Sequence, residues 1–165
     1  MWSLVMHQLE NARAIAALDK GRPRQASLRR AVSTAYYALF QALCEMCADE
    51  LVGWGKPWES FTPIFRAVEH GRAAQTLSQR NLANTPELQR IGYVFKELQA
   101  AREWADYNPE PRPKFELEAN ASRFTRSEAL TFIELAEEAV QILDHLAAGE
   151  RLKLATRLVA KTRHP

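Results

Sequence analysis

From Pro23 to Leu51 the chain meets no glycine and no further proline, and apolar residues recur there at helical spacing along two faces. One stripe carries Leu28, Val32, Ala35, Leu39 and Leu43; the other carries Tyr37, Phe40, Cys44 and Cys47. A helix with one apolar face covers a core, whereas a helix apolar on two sides has to be surrounded by others. This segment therefore predicts the centre of an all-α bundle, and the remaining punctuation is read around it.

A first helix is predicted from Ser3 to Lys20, with Leu4, Leu9, Ala12, Ile15 and Ala16 on one side. Gly21 ends it, and Pro23 is placed for the first turn of the central helix. "VGWGKPWESF", rich in breakers, reads as a loop. Thr62-Pro63 opens a short helix that Gly71 closes, and residues 72–84 read as polar and irregular. Thr85-Pro86 repeats the cap-plus-proline opening. The helix it starts is stopped by Pro109, Pro111 and Pro113, which begin a loop to Phe124. "TRSE", Thr125 to Glu128, is a capping box, followed by the stripe Ala129, Phe132, Ala136, Val140 and Leu143. The sum is an up-and-down bundle of four to five helices over residues 1–148. A basic C-terminal tail or helix extension follows over 149–165.

Hydrophobic residues at 47% and charged residues at 25% over 165 residues suit one domain large enough for a real core. A net charge of +2 is too small to demand nucleic acid as a partner. No apolar run approaches the roughly 20 residues of a membrane span, so no membrane role is expected. "MWSLVMHQLE" lacks the basic start and apolar run of a secretory signal. Two cysteines fit a reducing, cytoplasmic setting.

Those cysteines form "CEMC". A structural zinc takes four ligands, and no second pair is placed to complete the set. Core packing is the reading, with no metal and no cofactor expected. Glu134, Glu137 and Glu138 read as a solvated helix face. Trp54 and Trp58 anchor their loop or stack on bases.

The position that breaks the rhythm is in "KELQAAREWADYNPEP". Leu88, Ile91, Phe95 and Leu98 step by 3, 4 and 3, and the next places on the stripe are Arg102 and Ala105. A guanidinium facing the core must be paired, because burying it alone is very costly. Asp106, four residues on, shares its face, and the Tyr107 hydroxyl follows at the helix end. Two readings stay open: a structural clamp, or a planar fork offered to phosphate or carboxylate in a cleft. Tyr36 and Tyr37 diverge by about 100° on the central helix, so one packs inward while the other reaches outward. Arg29 and Arg30, one and two turns earlier, read as an anion-facing patch or a solvated helix start. His70, just before Gly71, gains from the dipole at a helix C-terminus.

"RRAVSTAYYALFQAL", "AREWADYNP" and "FTRSEALTFIELAEEAVQIL" together resemble the HEPN superfamily, and most closely its small prokaryotic branch, over residues 5–147. That branch carries an arginine-tyrosine-tyrosine central helix, here Arg30, Ala35, Tyr36 and Tyr37. It also carries an Arg-x-x-Ala-Asp-Tyr signature, here Arg102, Ala105, Asp106 and Tyr107. The resemblance implies a homodimeric helical bundle, often encoded beside a nucleotidyltransferase-type partner, within toxin–antitoxin or defence pairs. Many relatives cut RNA without metal, using an arginine, a polar residue and a histidine four to six residues on. Here Arg102 has no histidine in range, Arg66 to His70 leaves three residues between, and Arg157 to His164 has six between, but Leu158 follows that arginine and the pair lies in the tail beyond the bundle.

The expectation is therefore an RNA- or nucleotide-binding protein without efficient turnover. Arg102 would contact phosphate, Asp106 orient it, Tyr107, Tyr36, Tyr37 and Arg30 line the cleft, and His70 come from the short helix. The alternatives are a divergent metal-independent ribonuclease toxin and a purely structural interaction module.

Overall fold

In the computed structural model, residues 3–80, 84–107 and 123–160 are described, and among them every regular element is a helix. The proline loop at Pro109, Pro111 and Pro113 and the tail's His164 lie outside the described residues. Four long helices make the body: α1 (Ser3–Ala17), α2 (Gln25–Leu51), α5 (Pro86–Tyr107) and α6 (Arg126–His145). Three shorter ones pack against it: α3 (Trp58–Phe65), α4 (His70–Leu77) and α7 (Ala148–Val159). No described helix is long and apolar enough to cross a membrane.

The doubly apolar segment is the central helix. α2 packs against α1, α3, α5, α6 and α7, and from Leu28 to Ala48 it buries both predicted stripes except Tyr37 and Phe40, which are half-buried. Cys44 and Cys47 are free thiols within that core. Burial pushes the Cys44 thiol up to about 12 and raises Cys47 as well, as expected of cysteines serving as small hydrophobes. Gly21 takes φ +78° past the end of α1, a conformation that favours glycine. Pro23 lies outside α2, which starts two residues later at Gln25.

Helix ends and charged faces fix the long helices to one another. Thr125 and Glu128 form the predicted capping box at the start of α6. In the next position Arg126 donates from Nε to the Ala16 carbonyl at 3.2 Å and from Nη2 to Gly21 at 3.3 Å, so α6 satisfies carbonyls left free at the end of α1. The acidic face of α6 is not simply solvated. Glu137 takes both arms of Arg13 from α1, and Glu138 takes both arms of Arg90 from α5, at 2.9 and 2.7 Å. Bidentate pairs of this kind add geometric specificity. In α1 the buried stripe is Val5, Leu9, Ala12 and Ala16, which turns Leu4 outward.

The stretch between α2 and α5 departs most from expectation. Thr62-Pro63 does not open a helix: α3 has already begun at Trp58, and Pro63 lies inside it near its end. Pro63 removes one N–H bond from α3, whose buried residue is Phe61. Gly71 closes nothing. It is the second residue of α4, which occupies part of the stretch read as irregular and buries Ala73, Thr76 and Leu77. The basic stretch from 148 is also helical. α7 seats Leu154, Ala155 and Leu158 in the core, and its Arg151 reaches Glu50 at 2.5 Å and Asp49 at 3.5 Å on α2.

Candidate functional site

The interrupted stripe of α5 supplies the first group. Leu88, Ile91, Phe95 and Leu98 are buried in sequence, and Ala105 lies with them. The Arg102 side chain between them is only 13% exposed. It leaves the stripe sideways toward α2. Its Nη2 donates to the Tyr37 hydroxyl and lies 3.4 Å from that of Tyr107. Its Nε stands 3.0 Å from the Asp106 carboxylate, close enough for an ion pair although its N–H makes no aligned hydrogen bond there. The Ser33 hydroxyl donates to that carboxylate at 3.1 Å, holding it in place. These contacts tie the fork to α2 and to the end of α5.

The guanidinium is also framed by aromatic rings. Its central carbon lies 5.1 Å from the Tyr37 ring centroid, 5.2 Å from Tyr107 and 5.5 Å from Tyr36. A cation within about 6 Å of a ring is attracted to its face. The adjacent tyrosines divide as expected: Tyr36 is fully buried and Tyr37 half-buried, with their rings edge-on at 5.4 Å. Tyr107, at the last position of α5, is 71% exposed, so the cluster opens to solvent at that end.

His70 joins from α4. Its Nδ1 is 2.7 Å from the Tyr36 hydroxyl, and its ring stacks on Phe40 at 3.7 Å between centroids. Burial raises the Tyr36 pKa, so that hydroxyl keeps its proton. When Tyr36 donates to Nδ1, the imidazole proton sits on Nε2; when it accepts, Nε2 is the free lone pair. The His70 pKa is lowered, first by partial burial and then by the positive charge of Arg102. The reason expected from sequence was the opposite one. His70 is the first residue of α4, at the positive end of the helix dipole, which also disfavours its protonation.

Tertiary packing thus brings together Tyr36, Tyr37, His70, Arg102, Asp106 and Tyr107 from three helices. Arg30 is not among them. It is exposed, and no side-chain hydrogen bond or ion pair joins it to the cluster among the described residues. Arg29 places its guanidinium 4.3 Å above the Trp104 ring, so the two arginines do not form one patch with the tyrosines. Sequence reasoning missed Ser33 as the group that holds Asp106. The signal was present, since Ser33 lies one turn before Tyr37 on the same face. Among the described residues no three His, Cys, Asp or Glu side chains gather as a metal ion would require. No protein-family model, curated protein or solved structure matches this chain.

Proposed function

We propose that the Arg102 cluster binds the phosphate and base of single-stranded RNA or of a nucleotide, within a HEPN-type bundle. The observation that carries this reading is the guanidinium, oriented by Tyr37 and Asp106 and gathered in one cluster with a half-buried His70 whose pKa is lowered. A planar fork held in this way matches two phosphate oxygens. Tyr107, exposed at the mouth, offers a face on which a base stacks, worth about 1–3 kcal/mol per base in comparable sites. The wider role follows the resemblance: a cytoplasmic homodimer acting with a nucleotidyltransferase-type partner in a toxin–antitoxin or defence-like pair.

The test is anisotropy of a labelled single-stranded RNA titrated with purified protein at low salt. Affinity should fall as salt rises. Arg102→Ala should weaken binding by at least about tenfold while circular dichroism reports an intact fold. Absence of binding to RNA or nucleotide at low salt overturns the reading.

One observation favours a second reading, that of a metal-independent ribonuclease. The sequence pattern offers Arg102 no histidine in range, yet the fold supplies His70 from α4. A neutral imidazole can take the proton from a ribose 2′-hydroxyl as that oxygen attacks the phosphorus. The O2′–P bond then forms as the P–O5′ bond breaks, and the leaving 5′-oxygen takes up a proton. RNA cleaved in the presence of a chelator to 2′,3′-cyclic phosphate ends, with activity lost in His70→Ala, would establish it. RNA that stays intact removes this second reading and leaves the binding reading in place.

A further inference from the structure

Away from that cluster, a groove of about 370 Å³ runs between the start of α1, the second half of α2 and α3. Trp54, Trp58 and Phe61 give it an aromatic wall. Trp58 stands nearly perpendicular to both others, at 6.5 Å from Trp54 and 5.5 Å from Phe61. Trp54 and Trp58 remain exposed, so their rings are not used up in the core. On α2, Glu45 also lines the groove, although it is only 6% exposed.

A carboxylate so far withdrawn from water requires partners. One oxygen has one: Gln8 Nε2 donates to Gln41 Oε1 at 2.9 Å, and Gln41 Nε2 donates to Glu45 Oε1 at 3.1 Å. The other, Oε2, is buried with no hydrogen-bond partner among the described residues. Leaving such an oxygen unpaired costs free energy that a cation in the groove would offset. Burial accordingly raises the Glu45 pKa, against the smaller effects of the Gln41 bond and of the positive charge at the N-terminus, a cation that already acts on this carboxylate. Arg66 is the other charged residue lining the groove. It is exposed, where water and salt screen its repulsion, whereas the field of Glu45 acts through a dry interior.

We propose that this groove binds an organic ammonium ion carried on a compact apolar or aromatic body, with Glu45 as its counter-charge and Trp54, Trp58 and Phe61 as its wall. An ammonium beside tryptophan faces gains cation–π attraction that a neutral ligand lacks. The field of the buried carboxylate supplies the preference for a cation. The reading is independent of the RNA proposal, since none of these residues belongs to the Arg102 cluster.

The experiment is titration of the full chain with benzylammonium, followed by tryptophan fluorescence, with benzyl alcohol and phenylacetate as neutral and anionic counterparts. Benzylammonium should give a saturable change, and the other two should bind at least about tenfold more weakly. Glu45→Gln keeps the acceptor for Gln41 and should weaken benzylammonium by a similar factor. Trp58→Ala should weaken it too. Three results overturn the proposal: benzyl alcohol or phenylacetate binding as tightly, no saturable response, or a Glu45→Gln chain that binds like the wild type. Should Glu45→Gln fail to fold, the three ligands on the wild-type chain decide the matter alone.

Discussion

Arg102 and Glu45 are both charges set into helix faces that otherwise bury apolar residues, and they are satisfied to different degrees. Arg102 has a carboxylate, two tyrosine hydroxyls and three ring faces around it. Glu45 has one amide. The first was conspicuous in sequence because it replaces a leucine-like position on a regular stripe. The second was hidden among the glutamates of a charged chain, since no spacing rule marks a carboxylate that tertiary packing covers. His70 yields a pH prediction with a definite sign. Its folded pKa is lowered, so the unfolded chain binds the proton more readily. The stability this gives is complete above the ordinary histidine value of about 6.5 and is lost as pH falls through it toward the lowered folded value. Melting temperature should therefore drop on acidification below about pH 6.5 more steeply in the wild type than in His70→Asn. Equal slopes would remove the linkage between His70 and the fold.

At the scale of elements, long periodic helices were legible and short ones were not. The Thr125–Glu128 box and the Thr85-Pro86 start operate as read, with Thr85 Oγ1 accepting from Leu88 N at 3.3 Å. The same cap-plus-proline signal failed at Thr62-Pro63, because an eight-residue helix owes its limits to what its few apolar side chains touch. The packing of α4 on α5 shows the same control. A Cβ added at Gly92 would stand 2.7 Å from the Leu77 carbonyl oxygen, a backbone atom that cannot swing aside. Gly92→Ala should gain up to about 1 kcal/mol of helix propensity and lose about 1–3 kcal/mol to the forced separation of the helices. The loss wins, and thermal denaturation should report a melting temperature lower by roughly 2–6 °C. An unchanged or higher value would mean that α4 yields freely.

For the whole molecule, α7 decides whether residues from 148 onward belong to the body or hang from it. Leu154, Ala155 and Leu158 are fully buried, and Cys47 Sγ lies 4.0 Å from the Ala155 carbonyl. Leu158→Ala should then cost about 2–5 kcal/mol in denaturant unfolding, as for other buried leucines, whereas a solvated appendage would cost less than about 0.5 kcal/mol. Periodicity alone showed that the chain is helical, that the segment with two apolar stripes from Leu28 to Cys47 lies at the centre, and that Arg102 stands on a buried stripe. Each of these rests on periodicity within one segment, which a linear chain displays openly. Only the tertiary structure decided that His70 meets Tyr36, that Ser33 holds Asp106, that α7 joins the core, and that Glu45 lies buried beside an aromatic groove. Those are contacts between residues far apart in the chain, and their partners are chosen by how the helices pack, which no local pattern encodes.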